Sequence, residues 1–276
     1  MEGLETAQTR AVLADGSGVL VRHIPHRVAS TTAAVDRESI AKRPCFLCRE
    51  NLFPEQEGLA FGPDFSLYCN PFPVVDRHLT VVHREHRPQE LDGQLGTILE
   101  LAVALPGFFA LYNGPRCGAS APDHLHLQAG STDGLAIVRE MAGRPGPAIE
   151  AYGMRALFFR SADRSRVAGE AARALEILST VTGRGPEPWC NVVAFHDEAA
   201  ATSLVLFPRS RHRPDAFHAG ELTVSPAAID MGGILVTPFA RDFERLTGED
   251  VAAVYREVTI PREQFLDVVA RLESGR

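Results

Sequence analysis

The chain has 276 residues, enough for one large domain or two small ones, and a chain of this length buries most of the surface that it exposes when unfolded. Hydrophobic residues make up 45% of it and charged residues 23%, a globular composition that excludes disordered, collagen-like and coiled-coil proteins. A net charge of −7 excludes a protein built mainly to bind nucleic acid, because such proteins carry a basic excess.

The opening stretch and the cysteines indicate the compartment. The stretch MEGLETAQTR is polar and acidic, unlike a secretory signal. The longest apolar run, residues 101–112, is broken by Pro106 and Gly107 and falls well short of the ~20 residues that cross a bilayer. The five cysteines are an odd number, which does not suit a disulfide framework. We therefore expect a cytoplasmic protein that does not associate with membranes.

The pattern of apolar residues predicts an α+β fold. Alternation predicts strands over residues 18–22, 65–69, 78–83, 125–129, 155–160, 192–196, 203–208 and 234–238. Leucine and alanine at helical spacing, within residues 88–110, predict a helix that Pro106 and Gly107 end. Further helices are predicted over residues 166–180, 242–246, 249–257 and 262–273.

A weak internal repeat predicts duplication of one α+β unit. Residues 79–88 resemble residues 204–214 if one gap is allowed, since each is an apolar strand that runs into a basic turn ending in His-Arg-Pro. Self-similarity at a spacing of about 120 residues is typical of a duplicated unit. We expect a first unit at residues 44–147 and a second at 148–276, preceded by an extension, residues 1–43, that packs on the core.

Two cysteines lie at a metal-binding spacing, in Cys45-Phe-Leu-Cys48. This spacing is typical of a zinc knuckle, but it supplies only half of a tetrahedral site. A redox pair is the alternative, although a redox motif usually begins a helix in a βαβ unit. Here the sequence continues as Arg-Glu-Asn-Leu-Phe-Pro, which favours the metal.

The segment Asp123-His-Leu-His-Leu-Gln128 carries the strongest chemical signal. On a strand, His124, His126 and Gln128 lie on one face and the two leucines on the other. Polar side chains bordered by core leucines are costly unless they are paired or bind a ligand. The preceding loop is rich in small residues, among them Gly118, Ala119 and Ser120, which would allow backbone N–H groups to approach a phosphate.

These residues resemble the histidine triad superfamily, within it the branch of galactose-1-phosphate uridylyltransferase, GDP-L-galactose phosphorylase and diadenosine tetraphosphate phosphorylase. Members of this branch have glutamine in place of the third histidine. The strands around Asn70-Pro-Phe-Pro and His78-Leu-Thr-Val-Val-His83 are also similar to the strands on the nucleotide side in that superfamily. Residues 224–236 are similar to the second half of the phosphorylases. The resemblance implies a histidine-triad-like α+β fold of two pseudo-repeated units, each an antiparallel sheet with packed helices. The second unit lacks His-x-His and is expected to be non-catalytic.

The resemblance also implies a structural zinc ion. The metal ligands of the uridylyltransferase branch match Cys45, Cys48, His86 and His124 of this chain. His78 and His83 are alternative third ligands.

The resemblance implies that His126 is the catalytic nucleophile, with Gln128 and Ser120 acting at the transferred phosphate. Further residues are expected to bind the nucleotide and its phosphates, namely Asn70, Phe72, Asn113, Gly118 and Ala119. Arg84, Arg87 and the basic turn of residues 209–213 are candidates for the remote phosphates.

The expected activity is that of a nucleotidyltransferase or phosphorylase with a covalent nucleotidyl-histidine intermediate. The donor would be a nucleoside diphosphate sugar or a dinucleoside polyphosphate, and the acceptor phosphate or a sugar phosphate. A nucleotide pyrophosphohydrolase and a zinc-stabilised nucleotide-binding module without turnover are the alternatives. The resemblance further implies a homodimer, and we expect no nucleic-acid partner.

Overall fold

The computed structural model describes residues 2–33, 36–142, 144, 146–197 and 200–274. Within these residues the strands are β1 (Gln8–Ala14), β2 (Ser17–His23), β3 (Leu59–Phe61), β4 (Phe65–Cys69), β5 (Leu79–His83), β6 (Phe108–Asn113), β7 (His126–Ser131), β8 (Ala148–Ala151), β9 (Met154–Ser161), β10 (Cys190–His196), β11 (Thr202–Pro208) and β12 (Ile234–Thr237).

The helices of the same residues vary from one turn to five. They are α1 (Glu2–Glu5), α2 (Val28–Thr31), α3 (Arg37–Ala41), α4 (Leu95–Ala104), α5 (Ala136–Glu140), α6 (Arg164–Thr182), α7 (Asp215–His218), α8 (Ala228–Met231), α9 (Ala240–Arg245), α10 (Gly248–Val258) and α11 (Arg262–Ser274). None of the helices in the described part of the chain combines the length and apolar character needed to cross a membrane.

Most of the strands form one large antiparallel sheet, whose order in the described residues is β3-β4-β5-β7-β6-β10-β11-β9-β8. A small sheet has the order β1-β2-β12, with β2 antiparallel to β1 and parallel to β12. The expected α+β class with antiparallel sheets and packed helices is confirmed.

The large sheet is nearly symmetric about its centre, where β6 pairs with β10. On one side the order outward is β6, β7, β5, β4, and on the other it is β10, β11, β9, β8. Each side follows the same chain path, with two strands, a helix (α4 or α6) and two more strands. The order therefore matches β5 with β9 and β7 with β11. Residues 79–88 and 204–214 are not equivalent in this arrangement, so that particular alignment of the repeat is wrong.

The two faces of the large sheet carry separate hydrophobic cores because side chains alternate along each strand. On one face Leu127, Leu157 and Leu206 pack under α4, α6 and α11. On the other face Phe109 and Phe207 pack with residues of the small sheet, α8 and α10. The candidate functional side chains of β7 lie on this second face, which the amino-terminal segment also covers.

Local signals set the ends of the longer helices. Asp163 accepts hydrogen bonds from the backbone N–H groups of Ser165 and Arg166 at the start of α6, and Gly183, with φ of 65°, ends it. Thr247 and Asp250 form a capping box at the start of α10.

The helix predicted from residue 88 starts too early, whereas its predicted stop signal, Pro106 and Gly107, follows directly after the observed end. The structure confines it to Leu95–Ala104 and places Phe108–Asn113 in β6, at the centre of the sheet. A continuous apolar run is compatible with either element, so its spacing alone does not locate the change from helix to strand.

Gly153, in the turn between β8 and β9, provides a test of this packing. Its φ is 87°, and a Cβ atom there would lie 2.2 Å from the carbonyl oxygen of Ala252 in α10. Gly153→Ala should therefore lower the free energy of unfolding by about 2–4 kcal/mol, from backbone strain and overpacking.

Gly169 is the matched control, because it is exposed within α6 and a Cβ atom there has open space. Gly169→Ala should raise the free energy of unfolding by about 0.5–1 kcal/mol. Urea denaturation of both variants measures the difference, and equal effects would contradict the assigned packing.

Candidate active site

The polar face of β7 is buried. His126 is 3% exposed, and the alternate residues Leu127 and Ala129 are fully buried on the opposite face. His126 pairs in register with Val82 of β5 and Gln128 with Thr80, so these four side chains share one face of the large sheet. The predicted alternation is confirmed for His126 and Gln128, which lie on the same side, whereas His124 precedes the start of β7.

Two contacts define the state of His126. Its Nδ1–H donates to the carbonyl oxygen of His124 at 2.8 Å, which leaves the Nε2 lone pair unprotonated. Burial lowers the pKa of His126 to about 4, and the hydrogen bond to His124 offsets only part of that effect. At neutral pH the ring is therefore uncharged, with one nitrogen able to act as a nucleophile.

Gln128 is oriented by His78. The backbone N–H of Val74 donates to His78 Nδ1 at 3.1 Å, so the proton of this ring lies on Nε2. That Nε2–H donates to Gln128 Oε1 at 2.8 Å. The amide oxygen of Gln128 is thereby occupied, and its NH₂ group remains as the donor beside His126.

The four predicted metal ligands lie together. The ligand atoms of Cys45, Cys48, His86 and His124 are all within 4.8 Å of one another. Cys45 Sγ is 3.3 Å from His124 Nδ1, and Cys48 Sγ is 3.2 Å from His86 Nδ1 and 3.6 Å from His124 Nδ1. A tetrahedral zinc ion with Zn–S of ~2.3 Å and Zn–N of ~2.0 Å requires sulfur–nitrogen separations of about 3.5 Å. The donor set fits a metal ion.

The surroundings of the cluster support the same interpretation. His124 Nε2–H donates to the carbonyl oxygen of His83 at 2.8 Å, which leaves Nδ1 free to bind a metal. His86 Nε2 lies 3.7 Å from a carboxylate oxygen of Asp123. The two alternative ligands are engaged elsewhere, since His78 bonds to Gln128 and the His83 ring packs edge-on against Phe65.

A mainly apolar cavity of about 550 Å³ opens beside His126. One wall comes from the segment after Cys45, and Phe46 and Phe53 stand half-exposed at its rim. Phe72, also half-exposed, lines the same cavity from the turn between β4 and β5. The cavity has the size and the aromatic lining that suit a small organic ligand.

A smaller polar cavity of about 100 Å³ adjoins the first, and Arg27, Asn70, Ser120 and Gln128 line both. It lies at the seam between the two halves of the large sheet. The first half contributes Gln128 and the loop of residues 118–120, while the second half contributes residues 212–213 and 225–230.

The polar cavity carries two arginines, Arg27 and Arg213. Arg213 donates to Ser225 Oγ and to the carbonyl oxygens of Thr31 and Ala33. The one carboxylate that lines the cavity in the described residues, Asp230, accepts the backbone N–H groups of Ala227 and Val236. Burial raises the pKa of Asp230 to about 6, so its negative charge there is easily lost.

Asn113 reaches the polar cavity at the end of β6, where its Oδ1 atom accepts from Asn191 Nδ2 at 2.9 Å and from the backbone N–H of Ala228 at 2.8 Å. Asn191 in turn accepts a hydrogen bond from Arg209, which is fully buried. Arg209 donates otherwise to backbone carbonyls, including that of His212. This network ties the second half of the chain to the site.

The other predicted residues are placed as follows. Gly118 has φ of 104° and approaches Ala227 so closely that a Cβ atom would lie 2.6 Å from the alanine Cβ. Both amide atoms of Asn70 are used, Nδ2 on Thr80 Oγ1 and Oδ1 on the N–H of Phe72. Ala119 is buried beside Ser120 and lines the polar cavity.

Of the basic residues proposed for the remote phosphates, only Arg213 and its neighbour His212 line the polar cavity. Arg84 donates to the carbonyl oxygen of Pro63, and neither it nor Arg87 lines either cavity. Arg27 was not anticipated, because nothing in its local sequence marks it. The orienting role of His78 is also visible only in the structure.

Comparison with known proteins concerns the fold of the chain. Residues 1–131 match the model of a family described as a domain of unknown function, DUF4922. No curated protein matches the sequence. The yeast Ap4A phosphorylase Apa2 is similar in structure, with a TM-score of 0.64 and 17% identity over 92% of this chain and 90% of that one. The structure of that enzyme in complex with Ap4A has a TM-score of 0.61 at 18% identity, over 92% of this chain and 90% of that one.

A third structure, an ADP-glucose phosphorylase from Arabidopsis thaliana with bound ADP-glucose, has a TM-score of 0.39 at 16% identity, over 92% of this chain and 100% of that one. The likeness to the yeast enzyme shows a shared fold, which is the fold that the resemblance implied. In particular, the chain shares the fold of the yeast Ap4A phosphorylase over nearly its whole length.

The protonation of His78 can be measured directly. Burial lowers its pKa to about 4, and the hydrogen bond to Gln128 offsets part of this. An unfolded histidine titrates near ~6.5, so below that pH the unfolded state binds a proton that the folded state does not. Stability should therefore fall as the pH drops from ~6.5 towards about 4.

We expect proton–nitrogen correlation NMR to show His78 as the neutral Nε2–H tautomer, with unchanged nitrogen shifts from about pH 8 to about pH 5. His78→Gln identifies its signals by their loss. The same protein unfolded in urea should show ordinary titration near ~6.5. A His78 midpoint near that value in the folded protein would contradict the assignment.

Proposed function

We propose that this protein is a nucleotidyltransferase that works through a covalent nucleotidyl-histidine on His126. One observation carries the proposal: a neutral, buried histidine with an unprotonated Nε2 atom lines the apolar cavity, next to Gln128, which lines both this cavity and the small basic one. The apolar cavity would hold the nucleoside, and the basic cavity the phosphates beyond the reacting phosphorus.

In the first step the Nε2 lone pair attacks the α-phosphorus of the donor. The bond from phosphorus to the bridging oxygen breaks, and the leaving group departs with that electron pair. The Nδ1–H group keeps its hydrogen bond to the carbonyl oxygen of His124, which stabilises the positive charge that develops on the ring.

Gln128 stabilises the phosphorus while the bonds change. The NH₂ group of Gln128 donates to a nonbridging oxygen, because the side-chain oxygen of Gln128 already accepts a hydrogen bond from His78. A neutral donor fixed in advance suits a transition state whose charge is spread over the equatorial oxygens. Ser120 lines both cavities beside it and is the second candidate for contact with this phosphate.

The arginines of the polar cavity would bind the leaving phosphate. Arg27 lines this cavity from the amino-terminal segment, and Arg213 lines it from the second half of the chain. Asn113 has its amide nitrogen left as a donor at the same cavity. These groups suit a nucleoside diphosphate sugar or a dinucleoside polyphosphate, each with a second phosphate beyond the α-phosphate.

In the second step a phosphate-bearing acceptor takes the place of the leaving group. An acceptor oxygen attacks the phosphorus, the nitrogen–phosphorus bond breaks, and the electron pair returns to Nε2. Inorganic phosphate and sugar phosphates are the acceptors that the basic cavity favours. A panel of donors of both kinds, each offered with and without phosphate, identifies the substrate by the free nucleoside diphosphate that it releases.

We propose that Cys45, Cys48, His86 and His124 hold one zinc ion, which would serve as a structural crosslink. With four protein ligands its coordination is complete. Phe46 and Leu47, between the two cysteines, line the apolar cavity, so these ligands also fix one wall of the proposed nucleoside site. His124 at the same time fixes the strand that carries His126.

His126→Ala should abolish turnover while zinc content and thermal stability stay normal. With a donor labelled at the α-phosphate and no acceptor, the unmodified protein should retain label as an acid-labile, alkali-stable phosphoramidate, and the variant should retain none. Gln128→Ala should lower kcat by ~10²–10³-fold, the loss expected for one transition-state donor.

His218→Ala is the matched control, because His218 is exposed and lines neither the apolar nor the polar cavity. Turnover that survives His126→Ala, together with a protein that never acquires label, would show that the covalent mechanism is wrong.

Metal analysis of the purified protein should find about one zinc per chain. Cys48→Ser should lose the metal and on the order of several kcal/mol of folding free energy. It should also weaken nucleotide binding, because the wall formed by Phe46 and Leu47 is released. The control is Cys69→Ser, an exposed cysteine outside the cluster, which should keep metal, stability and affinity. Equal zinc content in the two variants would disprove the ligand set.

A further inference from the structure

A glutamine outside the two cavities contacts the backbone of the proposed nucleophile. Gln89 lies in the loop between β5 and α4 and is 1% exposed. Its side-chain amide inserts between the end of β6 and the start of β7. It lines neither the apolar nor the polar cavity, so any effect it has on the reaction passes through its neighbours.

The amide makes three hydrogen bonds, two of them to His126. Its Oε1 atom accepts the backbone N–H of His126 at 2.8 Å. Its Nε2 atom donates to the carbonyl oxygen of His126 at 3.0 Å and to that of Asn113 at 2.9 Å. A primary amide offers one accepting oxygen and two donor hydrogens, and here all of them are used.

These bonds replace a missing part of the sheet ladder. The pairing of β6 with β7 ends at Leu111 and Gln128, short of His126. On its other side His126 is still paired, with Val82 of β5. Gln89 therefore supplies the backbone partners of His126 on the side where β6 no longer does, and it fixes the position of the ring.

The loop that carries Gln89 is held by the second half of the chain. Glu187 accepts the backbone N–H of Leu91 at 2.6 Å and the hydroxyl of Tyr112 at 2.7 Å. The same hydroxyl lies 3.3 Å from the carbonyl oxygen of Gln89, and the N–H of Gln89 donates to Pro122. The amide thus enters the sheet from a loop with fixed ends.

We propose that Gln89 is a positioning residue that holds His126 at the distance and angle for attack on phosphorus, an inference that rests on the proposed function. Without it the ring can shift relative to the bound donor. A misplacement of about 1 Å can cost ~10²-fold in rate, while contacts to the bound donor in the two cavities are unchanged.

The test compares Gln89→Met and Gln89→Glu with Gln94→Met. Methionine keeps the shape but makes no hydrogen bond, and glutamate keeps only the acceptor for the His126 N–H. Gln94 is the matched control, a half-buried glutamine nearby whose side chain, within the described residues, bonds only to the carbonyl oxygen of Asp92 in the same loop.

In both Gln89 variants His126 should acquire label from the donor about 10- to 100-fold more slowly, with KM for the donor nearly unchanged. The labelling rate of Gln94→Met should match that of the unmodified protein. A folded Gln89→Met protein with the normal labelling rate would overturn the proposal. If neither Gln89 variant folds, Gln89 acts as a core residue and the proposal also fails.

A second measurement separates this inference from the proposed function. The backbone amide hydrogen of His126 should exchange with solvent faster in Gln89→Met, while that of Leu111 is unchanged. If the unmodified protein takes no label from any donor, the proposed function is wrong, and the exchange result still decides whether Gln89 holds His126. Unchanged exchange at His126 would show that it does not.

Discussion

The site depends on one constraint: a polar side chain on the inner face of a sheet is tolerated only when its atoms have partners. On β7 that condition is met almost completely. His126 uses Nδ1 on the carbonyl oxygen of His124, and Gln128 uses Oε1 on His78. His126 is left with the lone pair of Nε2, and Gln128 is left with its NH₂ group as a donor. The requirement for pairing thus selects the chemistry that the face can offer.

The two halves of the large sheet contribute unequally. The first half carries His126, Gln128 and the cysteine–histidine cluster, while the second has neither a paired histidine nor a cluster of that kind among the described residues. The second half nevertheless supplies one side of the polar cavity and the carboxylate of Glu187 that holds the loop before α4. The second half therefore contributes to the site through its backbone and supporting side chains.

Sequence reasoning succeeded where the signal is local. The alternation from His126 to Gln128 has the period of a strand, and the spacing of Cys45 and Cys48 is typical of metal chelation, so both were recognisable without any tertiary information. His86 was assigned only through the resemblance. Arg27 and Gln89 act across long distances in the chain, and no local pattern distinguishes them from surface residues.

The errors have related causes. The predicted helix began too early because Leu91 fits the helical spacing although it is a buried residue of the loop before α4. The repeat was aligned on two basic turns, which are alike in composition, whereas the structure matches strands by their order in the sheet. Order in a sheet depends on which strands pair, and one sequence does not reveal that.

The full burial of Arg209 has an electrostatic consequence. Its guanidinium group bonds to an amide oxygen and to backbone carbonyls, none of which carries a full negative charge, so its own charge is spread but not cancelled. Dissolved ions screen a buried charge far less than an exposed one. The attraction between Arg209 and Asp230, a carboxylate that lines the nearby polar cavity, is therefore weakened only in part at high ionic strength, and the two opposite charges together set the potential there.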